Sequence, residues 1–365
     1  MSELLPTLQA EDVRDGLVDY LSTTFALADE DARVALDRFL RHPERGIFKG
    51  PYVRLRLPFK PAEDGWRSTL DWYEGFPPYG HQAAAFARLS SANLGKDKPR
   101  PLPTLVTTGT GSGKTEAFLH PILDHVLRSK REGVEGMKAL ILYPMNALAN
   151  DQARRLTELI TTSPALGGVS AALYTGQSGP TRSTVTADGL ITERTAMHAE
   201  APDILLTNYK MLDQLLLRPA DQALWKQSAT SLRYLVLDEF HTYDGAQGTD
   251  VAMLLRRLGL ALQRNWPEAH PDIDDAARSR PLGLITPIAT SATLGDKGDP
   301  TLMVDFANTV FGDDFDDDSI ITETRLTLDD WSAGAHENLA SRGLQHRPVD
   351  AALVTELTDA VAALG

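Results

Sequence analysis

Cysteine is absent from the 365 residues of this chain, which excludes disulfides, thiolate zinc sites and thiol nucleophiles. Long hydrophobic runs are also absent: none approaches the ~20 residues that a membrane-spanning helix needs. The first residues lack the basic start and the apolar stretch of a secretory signal. These absences predict a cytoplasmic protein without membrane contact, and a content of 42% hydrophobic and 24% charged residues predicts a packed core.

Basic residues are few relative to acidic ones, with 36 Lys and Arg against 50 Asp and Glu and a net charge of -14. This balance is unfavourable for binding nucleic acid, because phosphate contacts depend on Lys and Arg. Much of the acid is clustered in segments 271–275 and 313–318, which we interpret as solvated loops. The acidity therefore weakens the case for a nucleic-acid partner without excluding one.

The hydrophobic pattern divides the chain into three parts. Residues 1–75 form an N-terminal extension that is helical to about residue 45, with a strand-like alternation at 52–57. In residues 76–312, helical segments alternate with short apolar runs at 104–107, 139–143, 171–174, 204–207, 235–237 and 284–289. Continuous apolar runs suit strands covered on both faces, so we predict an α/β fold with a mostly parallel sheet. Residues 313–365 read as an acidic linker and a helical tail, which either packs on this domain or begins a further one.

A glycine-rich segment follows the first apolar run: Thr108-Gly109-Thr110-Gly111-Ser112-Gly113-Lys114-Thr115. Glycines let backbone N–H groups converge on phosphate oxygens, and the N-terminus of the following helix adds partial positive charge. Lys114 would contact the β- and γ-phosphates, and Thr115 would place its hydroxyl on Mg²⁺. The usual pattern has glycine where Thr108 stands, yet the order of strand, loop and helix argues strongly against a chance turn.

Two adjacent carboxylates, Asp238 and Glu239, follow the run 235–237. Asp238 can hold Mg²⁺ opposite the phosphate loop, and Glu239 can orient or deprotonate the attacking water. A simple loop start is the alternative, which the upstream phosphate loop disfavours. Further along, Ser291 and Thr293 flank Ala292 after another apolar run, where small hydroxyl groups can bond the carboxylate loop and report the nucleotide state.

In this order, the segments 110–115, 238–241 and 291–293 resemble motifs I, II and III of superfamily-two DExH helicases. The resemblance implies a RecA-like P-loop fold that uses ATP and Mg²⁺, and it adds His241 to the catalytic motif. Residues 79–82 are similar to the Q-motif, whose glutamine reads adenine. By this resemblance Gln82 would contact the base, and Phe76 or Tyr79 would stack on it.

Two further segments, 143–152 and 206–209, are similar to motifs Ia and Ib, whose loops touch the nucleic-acid backbone. The resemblance implies contacts from Asn146, Thr207 and Asn208, neutral donors that an acidic protein can still use. The segment 238–258 resembles the large bacterial Lhr/YprA/MrfA-type helicases, including Druantia and DISARM relatives of anti-phage defence. DNA is favoured through this resemblance alone.

Helicases of this superfamily hydrolyse ATP between two RecA-like lobes, and the second lobe supplies arginines. Too few residues follow Thr293 for another lobe, and no Gln-x-x-Gly-Arg-x-x-Arg segment occurs. We therefore expect a first lobe that binds ATP, hydrolyses it slowly and does not unwind DNA, with the second lobe in the same longer polypeptide or in a partner. An RNA helicase lobe and a nucleotide-gated interaction module without motor activity remain as alternatives.

Overall fold

A computed structural model describes residues 6–48, 56–92, 94–95, 98–109, 111–177, 179–292, 300–331 and 333. The chain divides into two compact units, Met1–Leu57 and Pro58–Gly365. The predicted boundary lay later, between residues 75 and 76. Segment 58–75 belongs to the second unit because its backbone bonds into it: Lys60 N–H donates to Thr324 O at 2.8 Å, and Ala62 N–H donates to Pro78 O at 2.9 Å.

The first unit contains two helices that pack on each other, α1 (Pro6–Thr24) and α2 (Glu30–Leu40). Helix α2 begins where the Asp29 carboxylate accepts a hydrogen bond from Ala32 N–H at 2.8 Å, which satisfies one of the unpaired donors of the first turn. The predicted helical character of this region is confirmed. Most of the predicted strand at 52–57 lies outside the described residues.

The second unit is built on a seven-stranded sheet. Its strands are β1 (Thr104–Thr107), β2 (Ala139–Tyr143), β3 (Ala171–Tyr174), β4 (Ile204–Asn208), β5 (Tyr234–Leu237), β6 (Thr286–Ser291) and β7 (Ile320–Thr322). Their order is β3-β4-β2-β5-β6-β1-β7, and all six neighbouring pairs are parallel. The predicted α/β fold is confirmed, and six of the strands coincide with the apolar runs.

Nine helices are described in the second unit. They are α3 (Gly80–Leu89), α4 (Lys114–Arg131), α5 (Asn146–Thr162), α6 (Arg194–Ala199), α7 (Tyr209–Leu217), α8 (Gln222–Gln227), α9 (Gly245–Gln263), α10 (Asp275–Ser279) and α11 (Pro300–Phe311). The sheet has a hydrophobic core on each face, because successive strand residues point to opposite sides. In β2, Leu140 and Leu142 enter one core while Ile141 and Tyr143 enter the other.

In the acidic segment 313–318, Asp314, Asp316, Asp317 and Asp318 are exposed, as predicted for a solvated loop, whereas Asp313 is not. Asp313 is buried and pairs with Arg100 at 2.5 Å, and Asp316 accepts a hydrogen bond from the Ser319 hydroxyl at 2.6 Å. These contacts fold the segment onto the domain, and β7 follows it beside β1. The domain therefore continues past residue 312. The predicted tail helix at 350–364 lies outside the described residues, and no helix within them is long and apolar enough to cross a membrane.

Candidate nucleotide site and nucleic-acid face

The predicted motifs meet at one edge of the sheet. Thr108 follows β1, Asp238 follows β5 and Ser291 ends β6, and these three parallel strands are neighbours. Ligands of such folds bind outside the carboxyl ends of the strands. A cleft of about 870 Å³ opens there, with Lys114 and Glu239 in its wall.

The phosphate loop turns back on itself before α4. Gly111 and Gly113 have φ values of 79° and 78°, in the left-handed region that glycine adopts without steric cost. The Thr108 and Ser112 hydroxyls are hydrogen-bonded at 2.6 Å, so the threonine that replaces the usual glycine closes the loop. Thr110 lies outside the described residues.

The start of α3 is bonded to the phosphate loop. The Gln82 side chain donates from Nε2 to Gly113 O at 3.2 Å and accepts at Oε1 from Tyr79 N–H at 2.9 Å. His81, to which the sequence assigned no role, contacts Ser112 O through Nε2 at 2.8 Å. Since a carbonyl only accepts, His81 Nε2 carries the proton, and burial lowers the pKa of His81. The two side chains clamp the loop from one side.

The two predicted stacking residues differ in exposure. Phe76 is 90% exposed, whereas Tyr79 is 38% exposed and packs against Phe59 and His81 at centroid distances of 5.0 and 5.7 Å. Both line the cleft, and the Tyr73 hydroxyl fixes the backbone of Phe76 by donating to its carbonyl at 2.5 Å. Phe76 therefore presents the accessible ring.

The two carboxylates have different environments. Asp238 is 6% exposed and accepts a hydrogen bond from the Thr290 hydroxyl. Burial raises the pKa of Asp238, and the Thr290 hydrogen bond opposes that rise. Glu239 lies 3.5 Å from Lys114 Nζ through Oε1 and 3.5 Å from His241 Nδ1 through Oε2.

His241 connects the carboxylates to the end of β6. Its Nδ1 is 3.1 Å from the Ser291 hydroxyl, so the histidine is placed between the second and third motifs. The sequence pointed to Ser291 and Thr293, but Thr290 is the residue that contacts Asp238; it lies one position before the motif. Thr293 lies outside the described residues.

The described residues contain no group of three or more His, Asp or Glu side chains that could hold a metal. Mg²⁺ commonly takes one or two carboxylates and completes its shell with substrate phosphates and water. Asp238 and Thr115 both line the cleft, and a buried carboxylate and a hydroxyl in the same cleft fit that mode of binding. The residues present thus fit a metal that arrives with a nucleotide.

The predicted nucleic-acid residues lie together at the carboxyl ends of β2 and β4: Thr207 and Asn208 end β4, and Asn146 begins α5 after β2. Asn208 Nδ2 donates to Asn146 Oδ1 at 2.6 Å, and Asn146 Nδ2 donates to Thr175 O at 3.4 Å. Thr207 has no exposed surface, and its hydroxyl donates to Tyr174 O at 2.5 Å. Its side chain therefore links the ends of β4 and β3 to each other.

Two cations near this edge were not singled out from the sequence. The Arg194 guanidinium lies 5.0 Å from the Tyr174 ring, and Lys210 Nζ lies 5.8 Å from the Tyr209 ring. No described carboxylate forms a salt bridge with either side chain. We define Asn146, Asn208, Arg194 and Lys210 as the polar edge.

Residues 81–298 match the family model for the DEAD/DEAH box helicase. The chain belongs to this family. It is 28% identical to the Druantia protein DruE of Escherichia coli over 67% of this chain and 19% of DruE. It is 32% identical to the uncharacterized ATP-dependent helicase YprA of Bacillus subtilis over 49% of this chain and 20% of YprA. The chain thus spans about a fifth of the length of these relatives.

Among solved structures, the DUF1998 helicase MrfA bound to DNA is similar, with 23% identity, a TM-score of 0.48 and coverage of 73% of this chain and 31% of that chain. The matches to YprA and DruE confirm the predicted resemblance to Lhr/YprA/MrfA-type helicases with defence relatives, and the parallel sheet together with the family match confirms the RecA-like fold class. Helicases of this family use ATP and usually Mg²⁺.

Proposed function

We propose that this chain is the ATP-binding lobe of an ATP-dependent DNA helicase or translocase. The observation that supports it most is the placement of Glu239 3.5 Å from Lys114, with buried Asp238 beside it. Hydrolysis of ATP needs a cation that neutralises the phosphate charge and a carboxylate that orients or deprotonates the attacking water. They lie in one cleft at the carboxyl ends of β1 and β5, the two strands that flank β6.

In the proposed mechanism, Mg²⁺ supplies charge neutralisation and a template for the phosphates. The residues of the chain do the rest. Lys114 and the loop amides would bind the phosphate oxygens, and Asp238 and Thr115 would hold the metal. Glu239 would orient the water and accept its proton. His241 and Ser291 keep the carboxylate loop in register with β6. Phe76 stacks on the base, and Gln82 reads adenine with Tyr79 in support.

Slow hydrolysis by the chain alone is part of the proposal. Arg155 lines the described cleft, but its guanidinium pairs with the Glu116 carboxylate, which offsets its charge. Arginines that stabilise the transferred phosphoryl group contribute about 10³–10⁵ in rate in comparable systems. We propose that another lobe, in the same longer polypeptide or in a partner, supplies them.

DNA is the proposed nucleic acid, and a role in anti-phage defence is proposed because of the likeness to DruE. The polar edge reaches phosphates through neutral donors and two cations, which does not distinguish the two sugars. An RNA helicase lobe is therefore the second candidate. A nucleotide-gated interaction module is the third; the joint presence of Lys114, Asp238 and Glu239 argues against a degenerate ATPase but not against such a switch.

The test measures binding of a fluorescent ATP analogue and ATP turnover, each with single-stranded DNA or RNA of the same sequence. We expect the wild-type chain to bind the analogue, Lys114→Ala to abolish binding, and DNA to bind more tightly than RNA. Glu135→Gln, at an exposed site, serves as the control. Equal binding by Lys114→Ala would contradict the nucleotide site, and tighter binding of RNA would favour the second candidate.

A further inference from the structure

The segment that follows β7 contacts the phosphate loop directly. We define residues 323–326 as the exit segment. Glu323 Oε2 accepts a hydrogen bond from Gly109 N–H at 2.8 Å, and its other oxygen pairs with Arg325 at 3.0 Å. A charged acceptor makes a stronger hydrogen bond than a neutral one. The carboxylate thus holds the first half of the loop.

The same segment reaches the second half of the loop by another route. The Arg325 guanidinium lies 4.1 Å from the centre of the Phe59 ring, and Phe59 packs against His81 at 5.4 Å. His81 in turn bonds Ser112 O at 2.8 Å. The contacts therefore form a closed ring from Gly109 through the exit segment to Ser112.

Backbone pairing keeps this ring in place. Lys60 N–H donates to Thr324 O at 2.8 Å, and Leu326 N–H donates to Pro58 O at 3.0 Å, so the exit segment runs antiparallel to residues 58–60. The approach to the loop is also close: a Cβ at Gly109 would lie 3.1 Å from Glu323 Oε2. The carboxylate and the loop backbone thus fit each other with little space between them.

We propose that Glu323 is a positioning residue for the phosphate loop, and that it couples nucleotide binding to the conformation of the exit segment. The proposal rests on the proposed nucleotide-binding function. A carboxylate at this place could instead compete with the phosphates of the nucleotide. Positioning and competition predict opposite effects of Glu323→Ala on nucleotide affinity, so one measurement separates them.

The first experiment follows amide hydrogen exchange of Gly109 in the nucleotide-free chain. Glu323→Ala removes the acceptor, and we expect exchange at Gly109 to become at least about tenfold faster, in line with the loss of one hydrogen bond. Asp330→Asn is the matched control, because Asp330 also lies after β7 but bonds Thr327. Equal exchange in wild type and Glu323→Ala would overturn the proposal.

The second experiment measures the Kd of an ATP analogue. Glu323→Ala should raise the Kd about three- to tenfold, while Glu323→Gln, which keeps an amide oxygen as acceptor, should recover part of the affinity. In wild type, the nucleotide should also change hydrogen exchange in the exit segment, since coupling between two sites is reciprocal, and Glu323→Ala should lose that response. Tighter binding by both variants would overturn positioning in favour of competition. If the wild type binds no nucleotide, the proposed function fails, while exchange at Gly109 still decides whether Glu323 holds the loop.

Discussion

At the scale of single residues, Glu239 has an unusual backbone. Its φ of 49° is the one positive value among non-glycine residues that the structure describes. Such a conformation costs on the order of 1 kcal/mol and persists only where surrounding contacts hold it. Thr290 Oγ1 accepts from Glu239 N–H at 3.3 Å, and the Thr242 hydroxyl donates to Glu239 O at 2.8 Å. The strain aims the carboxylate between Lys114 and His241.

Two neutral replacements of Glu239 test this strain. Glu239→Gln and Glu239→Asn both remove the charge, but asparagine tolerates the left-handed region better than glutamine. We expect Glu239→Asn to be more stable than Glu239→Gln by about 0.5–1 kcal/mol, because the backbone cost is smaller. Urea denaturation measures the difference. Equal stability would mean that the backbone of Glu239 is unstrained in solution.

The Thr290 hydroxyl sets the protonation of Asp238. It lowers the pKa of the buried carboxyl, against the effect of burial, so Thr290→Val should raise that pKa further. On acidification, Asp238 would then lose its ionised, metal-binding form at a higher pH than in wild type. The acid limb of the pH profile of kcat/KM should therefore shift to higher pH. Thr286→Val is the control, since Thr286 is buried on the same strand and bonds Pro101 O. An unchanged acid limb in Thr290→Val would contradict the role of this hydrogen bond.

The residues that the sequence could predict are those whose chemistry follows from local order. Asp238 and Glu239 stand directly after an apolar run, and Lys114 and Thr115 end the glycine-rich loop that follows another. A parallel sheet places its ligands at these positions. Their roles stay predictions until tested. His81, Thr290 and Glu323 were missed because each acts through a hydrogen bond to a distant loop, and no local pattern reports such a contact.

At the scale of elements, helix α4 carries a buried histidine beneath the site. His120 packs among Trp72, Tyr73 and Phe86 at centroid distances of 5.9, 4.7 and 6.0 Å. Burial lowers the pKa of His120 to about 4, and the Glu116 charge only partly opposes this. Its Nδ1 has no hydrogen-bond partner among the described residues. The helix is thus stable with a neutral imidazole at this position.

The stability of the domain should fall as the pH drops below about 6.5. In the unfolded chain His120 takes up its proton near pH 6.5, whereas in the folded chain it does so near pH 4. Between these values the unfolded state binds more protons, so His120 lowers the free energy of unfolding by up to about 1.4 kcal/mol per pH unit as the pH falls. Burial also lowers the pKa of His125, to about 3, so His125 adds to this slope in the same direction. His120→Leu should flatten this slope in urea denaturation from pH 6.5 to 4. A slope identical to that of wild type would show that His120 is accessible to protons in the fold.

Strand prediction succeeded where burial is continuous and failed where the strand is short. The six predicted runs are either apolar over four or more residues or lie beside a motif, so each could be recognised as a strand from the sequence. Strand β7 has three residues and follows an acidic segment, which led to its interpretation as a linker. Its parallel pairing with β1 comes from tertiary contacts. The exit segment and the contact of Glu323 could not be predicted either, because they also depend on tertiary contacts.

At the scale of the whole molecule, the charge of -14 opposes nucleic-acid binding except where cations are locally unpaired. In the polar edge, Arg194 lies against the Tyr174 ring and Lys210 against the Tyr209 ring, while Asn146 and Asn208 are hydrogen-bonded to each other. Each phosphate contact to a single strand contributes about 0.7 to the slope of log K against log salt. The negative net charge of the whole chain therefore does not decide whether it binds nucleic acid.

The salt dependence of DNA binding tests the polar edge. We expect Arg194→Gln and Lys210→Gln each to weaken binding of single-stranded DNA and to reduce the salt slope by about 0.7. Arg154→Gln is the control, because Arg154 is exposed and already paired with Asp151 at 3.3 Å. If the control lowers the slope as much as the two variants do, binding is diffuse and the polar edge is not the interface.

We propose that the cleft binds ATP through Lys114 and hydrolyses it through Glu239. The most direct test is single-turnover hydrolysis of ATP by wild type and Glu239→Gln at saturating chain concentration, with single-stranded DNA present. We expect Glu239→Gln to bind ATP with an affinity like that of wild type and to hydrolyse it at least about a hundredfold more slowly, in keeping with loss of a general base. Hydrolysis by Glu239→Gln at the wild-type rate would mean that Glu239 is not the catalytic carboxylate.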